Sequence, residues 1–377
     1  MGNSSGRCRS VPTAADAPPA APLLGAPHRA RAPLPPALRA GLRAPPPGRA
    51  GRAREGPRLP GVRPALARPD ADRGRRAAPF LQPGVRPAVR ARRFRVARVR
   101  VAHTGAATPL ASLEDDVATA ARIGADGLEI WAPKLGPALE RGGPAALAAL
   151  LRRHRVAVVS LAPVPDVLFR DPGGLEETAE RVHRLSELAR ALGATWIVLT
   201  PGERPDGADE RDVQHEARAT LSRLAQISER YDVGLALTPD SRPRAAVRTL
   251  AAAAALLELA RRPALALAPD TFHLYAAGSS PDELKACRPR QLALLRLADA
   301  PADVEPGSLR DAHRLPPGEG VVPIDRVLAL VRELGAEPPA VVPVAPREHG
   351  DPSEWARRLR DQAQALARGA PPVRPRR

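Results

Sequence analysis

A regular alternation of short apolar runs and amphipathic segments over residues 96–370 restricts the fold of this sequence more than any other feature. Each of eight apolar runs is followed by a stretch with helical periodicity. Such alternation is typical of parallel βαβ units, in which every helix returns the chain to the same edge of the sheet. The predicted strands cover residues 96–102, 127–131, 156–161, 195–200, 233–237, 264–268, 292–297 and 340–344.

The segments between these strands carry signals that begin and end helices. Ser112 is followed by Glu114 and Asp115, a pattern typical of a capped helix with acidic residues in its first turn. Gly193 and Gly335 stand just past two predicted helices, where a left-handed residue is favoured. We predict helices over residues 112–123, 144–153, 175–192, 210–230, 247–261, 281–286, 324–334 and 353–367.

Eight consecutive units within residues 96–377 match the size of a closed barrel. The alternative is a doubly wound open sheet, but the turn after the first strand, residues 103–106, contains one glycine and no glycine-rich phosphate-binding fingerprint. We therefore predict an α/β protein with a (β/α)8 TIM barrel over residues 96–370 and a short tail at 371–377.

Residues 1–95 have a different composition. They hold 20 arginines and four acidic residues, which gives +16 of the total net charge of +17, together with 18 of the 46 prolines. Proline removes backbone donors, and few large side chains are available for a core, so we expect a disordered, basic, low-complexity arm. The remaining residues carry a net charge of only +1.

Three interpretations of this arm are open. It could bind nucleic acid, although it lacks the aromatic residues that stack on bases, so we do not expect a nucleic-acid partner. It could be an arginine-rich targeting segment. The interpretation we favour is a tail without a folded role, or an upstream stretch included because the start site is mis-assigned.

Two cysteines, Cys8 and Cys287, are too few for a disulfide framework or a multi-cysteine metal site. No run approaches 18 consecutive apolar residues, which argues against a membrane-spanning helix and a membrane partner. We expect a soluble, cytoplasmic protein.

Functional residues of a parallel barrel lie at the carboxyl ends of its strands. Each predicted strand ends in or is followed closely by a polar residue or a proline, and these positions form the candidate site. In chain order they are His103, Glu129, Trp131, Ser160, Thr200, Thr238, Asp240, Asp270, His273, Arg296, Asp299 and Pro343, and the loop after the seventh strand adds Arg314.

Four segments carry a resemblance to a known family. They are Gly-Leu-Glu-Ile-Trp at 127–131, Asp-Thr-Phe-His-Leu-Tyr at 270–275, Leu-Ala-Asp-Ala-Pro at 297–301 and Pro-Gly-Glu-Gly at 317–320. In this order they resemble the sugar phosphate isomerase/epimerase family, the xylose isomerase-like TIM barrels, over roughly residues 96–370. The resemblance implies an isomerase, epimerase or dehydratase that acts on a sugar, cyclitol or related polyol or keto-acid.

The resemblance also implies a divalent metal, usually Mn, Mg, Co or Zn. In the family it is held by Glu, Asp, His and Glu at the ends of strands five to eight, and the two glutamates move the proton through an enediolate. This chain keeps Asp270 but has Thr238, Arg296 and Pro343 at the other three positions. A guanidinium cannot coordinate a cation, and Pro343 offers no side-chain donor, so we expect metal-dependent proton transfer to be reduced or lost.

Two hypotheses follow for the altered metal position. Arg296 could pair with Asp270 and fill the space of the metal, in which case no cofactor is expected. Alternatively, Asp240 or Glu348 could rebuild a divalent metal site from the loops.

The resemblance implies that His273 contacts substrate hydroxyls and that Arg314 contacts a hydroxyl or phosphate. Glu129 and Trp131 would form one wall, and the indole face would suit a sugar ring. Each has a structural alternative: His273 could bond within the mouth, Arg314 could form a loop ion pair, and Trp131 could serve packing. The expected partner is a small-molecule sugar or polyol, and a homo-oligomer is left open. The alternative function is a non-catalytic polyol-binding or scaffold descendant of the family.

Overall fold

A computed structural model of the chain describes residues 99–348 and 350–369. The predicted arm 1–95, the start of the first predicted strand and the tail 371–377 lie outside the described residues. The strands are β1 (Val101–Thr104), β2 (Leu128–Trp131), β3 (Val158–Val164), β4 (Trp196–Leu199), β5 (Gly234–Leu237), β6 (Leu265–Leu267), β7 (Leu295–Arg296) and β8 (Ala340–Val341). The helices are α1 (Leu113–Ile123), α2 (Leu135–His154), α3 (Pro172–Leu192), α4 (Glu210–Glu229), α5 (Leu250–Ala260), α6 (Thr271–Ala276), α7 (Ile324–Glu333) and α8 (Pro352–Ala367).

All paired neighbours among the eight strands are parallel, in the order β6-β5-β4-β3-β2-β1-β8-β7. Parallel bridges from Leu267 to Leu292 and from Asp270 to Arg296 join β6 to β7. The sheet therefore curls into a ring, with the helices outside it, and the predicted (β/α)8 TIM barrel is confirmed. Within the described residues, no helix is both long and apolar enough to cross a membrane.

The structure corrects the predictions for two helical segments. Helix α2 begins at Leu135, well before the predicted start at residue 144, and Gly143 kinks it with a φ of 69°. The sequence Gly142-Gly143-Pro144 was therefore a bend within helical structure and not its beginning. After β6, the chain enters α6 directly at Thr271, whereas the predicted helix at 281–286 is a 3₁₀ segment, Pro281–Ala286.

The lower part of the barrel interior is filled by small apolar side chains. A separate buried cluster consists mainly of alanines with Val198, Leu294 and Val341, and Trp196 packs against it. Gly234 makes room for Trp196, because a Cβ at this position would lie 2.1 Å from the indole ring. The remaining members of the cluster are Ala102, Ala162, Ala236, Ala266, Ala268 and Ala293.

Side chains alternate along a strand, so the residues two positions beyond this interior cluster form the next layer, at the carboxyl ends of the strands. We call this layer the barrel mouth. It contains two hydroxyls, two carboxylates, a guanidinium and a proline ring. Its members, on or just beyond β1, β2, β5, β6, β7 and β8, are Thr104, Glu129, Thr238, Asp270, Arg296 and Pro343.

A buried ion pair fixes the β1–α1 loop beside the mouth. The Lys134 ammonium lies 2.6 Å from the Asp116 carboxylate and also donates to the carbonyl oxygen of Thr108 at 2.8 Å. The Thr108 hydroxyl donates to the other Asp116 oxygen at 2.7 Å. Asp116 is fully buried, so its charge depends on these contacts.

Replacing Asp116 by Ala should lower the free energy of unfolding of the full chain by about 3 kcal/mol or more, because Lys134 would remain buried without a counter-charge. Urea denaturation measures the change. The matched control is Glu114→Ala on the same helix, whose carboxylate pairs with Arg141 at the surface and should contribute at most about 1 kcal/mol. Equal effects of the two substitutions would contradict the prediction.

Candidate functional site

The centre of the barrel mouth is an ion pair between Arg296 at the end of β7 and Glu129 on β2. The Arg296 Nη1 atom donates to both Glu129 carboxylate oxygens, at 2.9 and 2.7 Å. The two residues are 167 positions apart in the chain and meet because the barrel closes. The Glu129 side chain is 1% exposed and that of Arg296 13% exposed, so the pair is screened little by water.

Two hydroxyls complete the shell of Glu129. Thr104 on β1 donates to one carboxylate oxygen at 2.8 Å, and Ser160 on β3 donates to the other at 3.0 Å. The carboxylate therefore has a charged partner and neutral donors from both neighbouring strands. The buried carboxylate of Glu129 is therefore both paired with a charge and hydrogen-bonded, the two conditions under which a buried charged group is tolerated.

The second carboxylate of the mouth, Asp270, is paired mainly with Arg314. The Arg314 Nη1 atom donates to Asp270 at 3.0 Å, and its Nε atom donates to Asp311 at 2.7 Å. Burial raises the pKa of Asp270, but the charges of Arg314, His273 and Arg296 and the hydrogen bond from Arg314 together outweigh it and hold the pKa at about 2. The same two carboxylates raise the pKa of Arg314 against the opposing effect of burial.

The hypothesis that Arg296 pairs with Asp270 is confirmed as an ion pair, but Asp270 is not the main partner of Arg296. The Arg296 Nε atom lies 3.6 Å from Asp270, which is an ionic contact but not a hydrogen bond. The main partner of Arg296 is Glu129, because hydrogen bonds from Nη1 to both carboxylate oxygens direct the guanidinium across the barrel. The sequence predicts that β7 lies beside β6, but this adjacency does not indicate whether Arg296 bonds more strongly to Asp270 or to Glu129.

His273 links the mouth to the loop after β5. Its Nε2 atom lies 3.0 Å from Arg314 Nη2, and its Nδ1 atom lies 2.9 Å from the Ser241 hydroxyl. Arginine has donors only, so Nε2 accepts from Arg314, and the neutral ring carries its proton on Nδ1. The Ser241 N–H, which approaches Nδ1 at the longer distance of 3.4 Å, is then left without this acceptor. Burial, together with the Arg314 charge, lowers the pKa of His273 despite the opposing charge of Asp270.

The residues at the four positions that the family resemblance assigns to a metal do not fit a divalent cation. Thr238 is buried and its hydroxyl has no hydrogen-bond partner in the described residues. Asp240 accepts from Arg242 Nε at 2.7 Å, and Glu348 is exposed. Over residues 99–348 and 350–369, no group of three or more His, Cys, Asp or Glu side chains could hold a metal ion.

Asp299 explains why two of the sequence motifs occur together. Its carboxylate is buried after β7 and accepts from the backbone N–H groups of Gly318 and Val322, at 2.9 and 2.8 Å. It also accepts from Ala300 N–H at 2.9 Å. The segments 297–301 and 317–320 therefore fold against each other, and the loop between them brings Arg314 to the mouth.

A groove of about 710 Å³ opens beside the mouth. It is lined by residues 108–111 of the β1–α1 loop, by residues 314–316 of the β7–α7 loop and by Trp355 on α8. Arg314, which pairs with Asp270, is one of its lining residues, so the groove and the charged centre share this side chain. Trp131 lies at the end of β2, partly exposed, and does not line this groove.

Sequence reasoning did not find Thr104, Asp311 and Ser241 as parts of this network. Thr104 could have been found, because it lies two positions beyond Ala102 on the interior face of β1. Asp311 and Ser241 lie on loops without a repeating pattern, and the sequence contains no comparable signal for them.

The comparison with protein families agrees with this architecture. The profile of the xylose isomerase-like TIM barrel family matches residues 117–368. This chain belongs to that family. Its relatives include the inosose isomerase of Bacillus velezensis, which is 27% identical over 225 residues, or 59% of this chain and 80% of the relative. The inosose isomerase of Bacillus subtilis is 26% identical over 166 residues, or 44% of this chain and 59% of that relative.

Solved structures support the same fold at lower identity. The IOLI protein with a bound zinc atom has a TM-score of 0.67 at 23% identity, over 71% of this chain and 97% of that chain. D-psicose 3-epimerase with D-tagatose, from Clostridium cellulolyticum, has a TM-score of 0.56 at 16% identity, over 72% and 98%. These likenesses establish the barrel fold.

Replacing Arg296 by Met should lower the free energy of unfolding by about 3–5 kcal/mol, because Glu129 would stay buried without its counter-charge. Adding Glu129→Gln should recover part of this loss, whereas adding Asp270→Asn to Arg296→Met should recover less. Urea denaturation of the single and double variants gives the two coupling energies. A larger coupling to Asp270 than to Glu129 would contradict the observed pairing.

The lowered pKa of His273 predicts a pH dependence of stability. Below the ordinary pKa of 6.5, the unfolded chain binds a proton that the folded ring resists, so stability falls as the pH drops below 6.5. His273→Gln should reduce the dependence of the free energy of unfolding on pH in this range. Urea denaturation between about pH 5 and pH 8 measures it. The control, His215→Gln at an exposed position of α4, should leave the slope unchanged. Identical slopes in both variants would rule out His273 as the cause.

Proposed function

We propose that this barrel binds a sugar, cyclitol or related polyol or keto-acid at its mouth and has lost the metal-dependent proton transfer of its family. The observation that supports the loss is the hydrogen-bonded pair of Arg296 with Glu129. A permanent protein cation stands at a position to which the family resemblance assigns a metal ligand. Placing a divalent cation beside it would be opposed by charge repulsion.

The bases of the family reaction are missing as well. Thr238 and Pro343 occupy the positions of the two proton-transfer glutamates, and neither side chain can take a proton from carbon. The carboxylates that remain, Glu129 and Asp270, are both held by guanidinium groups. With a pKa of about 2, Asp270 is a weak base at neutral pH, far from the match that general base catalysis requires.

Ligand binding is supported by groups that have unused hydrogen-bonding capacity. The buried hydroxyl of Thr238 has no partner in the described residues, and such a group in a barrel mouth is typically satisfied by water or by a ligand. The names of the relatives, inosose isomerases and an epimerase with a bound ketose, point to polyhydroxylated molecules. His273, Arg314, Glu129 and Trp131 remain our candidates for contact with such a ligand, and we retain the prediction of a cytoplasmic location.

An alternative within the proposal is a barrel that binds a polyol only as a sensor or scaffold, without any reaction. A homo-oligomer would be compatible with either form. The two are separated by following hydrogen exchange at the carbon beside the carbonyl of scyllo-inosose in D₂O by NMR. Exchange catalysed by the protein in metal-free buffer would support a metal-independent enzyme and contradict the alternative without any reaction.

Titration of the full chain with Mn²⁺ up to millimolar concentration should give no binding heat. The variant Thr238→Glu, Arg296→His, Pro343→Glu restores the family ligands around Asp270 and should bind one Mn²⁺ in the same calorimetric experiment. The matched control adds Asp270→Asn to that variant and should weaken Mn²⁺ binding again. Circular dichroism establishes that each variant is folded.

Stoichiometric, tight Mn²⁺ binding by the unchanged protein would overturn the proposal and would favour Asp240 or Glu348 as rebuilt ligands. The ligand-binding half is tested separately, by titration with myo-inositol and scyllo-inosose in metal-free buffer. Saturable binding of either molecule supports it, and the absence of binding to both contradicts it.

A further inference from the structure

The segment that connects β5 to α5, residues 238–249, contains polar groups that the protein itself leaves unsatisfied. Thr238, at the start of the segment, has a buried hydroxyl without a partner in the described residues. Arg248, near its end, has a buried Nε atom without a hydrogen-bond acceptor in the same residues. Unsatisfied buried polar atoms are costly, and such groups are typically satisfied by water or by a ligand.

Arg248 differs from the other arginines around the mouth in its electrostatic environment. Arg296, Arg314 and Arg242 each form an ion pair with at least one carboxylate. Arg248 forms no ion pair within residues 99–348 and 350–369, and its Nη2 atom donates a long hydrogen bond of 3.5 Å to the Ser241 carbonyl oxygen. It is only partly exposed, so its positive charge is neither paired nor fully hydrated.

Ser241 places a second donor next to Arg248. The Ser241 N–H and the Arg314 Nη2 group both approach His273 as donors, at 3.4 Å from Nδ1 and 3.0 Å from Nε2, and the neutral ring can accept only one of them. The shorter contact assigns the acceptor to Nε2, so Nδ1 carries the proton and donates it to the Ser241 hydroxyl oxygen at 2.9 Å. The hydroxyl hydrogen of Ser241 then has no acceptor in the described part of the chain and can be donated outward. The Ser241 hydroxyl and the Arg248 guanidinium therefore lie in neighbouring positions, because Arg248 contacts the carbonyl oxygen of Ser241. Ser241 is connected to the Asp270–Arg314 pair through His273.

We propose that Arg248 and Ser241 form a subsite for an oxyanion, a carboxylate or a phosphate, carried by the polyol that the mouth binds. The inference rests on the proposed function and narrows its ligand to an acidic sugar or cyclitol. A guanidinium suits both oxyanions because its planar N–H groups can form two parallel hydrogen bonds. Arg314 cannot take this role on charge grounds, since Asp270 and Asp311 already neutralise it.

The test is calorimetric titration of the full chain, at constant ionic strength, with probes that differ in charge. D-gluconate supplies a carboxylate, D-glucose 6-phosphate supplies a phosphate, and myo-inositol is the uncharged polyol. Inorganic phosphate and malonate probe the oxyanion subsite without a polyol. We expect at least one charged polyol to bind about tenfold or more tightly than myo-inositol, and the stronger of the two identifies the oxyanion.

Arg248→Met should reduce the affinity for the charged polyol to about that for myo-inositol, with myo-inositol itself unaffected. Arg248→Lys keeps the charge but loses the planar fork, so it should retain part of the preference. The matched control is Arg181→Met on the exposed face of α3, which removes the same charge away from the mouth and should change nothing. Equal unfolding midpoints establish that the variants are comparable.

Equal affinity for charged and uncharged polyols, unchanged in Arg248→Met, would overturn the subsite and leave the proposed polyol binding intact. Binding of inorganic phosphate or malonate that depends on Arg248, without binding of any polyol, would support the subsite and overturn the proposed function. Failure of every probe to bind would overturn both.

Discussion

The buried pair of Arg296 with Glu129 is the interaction on which the upper half of this barrel depends. It spans the mouth from β7 to β2, and the Glu129 carboxylate also accepts hydrogen bonds from the hydroxyls of Thr104 on β1 and Ser160 on β3. Removing either charge would leave the other in a low-dielectric interior, which costs several kcal/mol. Four strand ends are therefore tied together by one guanidinium and its carboxylate.

The ion pairs of the mouth also balance the charges of its buried carboxylates. Carboxylates at a parallel-strand mouth repel one another unless cations balance them. Here Arg296 and Arg314 provide that balance from within the chain, and Asp270 is kept strongly acidic by its neighbours. Among the described residues, this balance leaves Arg248 as a partly buried cation without a carboxylate partner, which distinguishes the β5–α5 segment from the rest of the mouth.

Much of the fold could be predicted because its signals are local. Apolar runs, capping residues such as Ser112 and glycines after helices such as Gly193 each act within a few residues, and the barrel follows from their number and order. The exceptions are informative. The helical turns before Gly143 were not predicted because Gly142, Gly143 and Pro144 indicated the boundary of a helix, whereas α2 continues through them with a kink. The short helix α6 was not predicted because its residues belong to the motif at the end of β6.

The sequence by itself determined the (β/α)8 fold and the positions of the strand ends, and it is the source of the expectation that Thr238, Arg296 and Pro343 stand at positions of family metal ligands. The tertiary structure alone decided that Arg296 reaches Glu129, that Arg314 takes Asp270, and that Arg248 has no carboxylate partner in the described residues. The physical reason is distance along the chain. Strand periodicity indicates which side chains share the mouth, but the direction of a long arginine side chain depends on the carboxylates that ring closure brings within its reach.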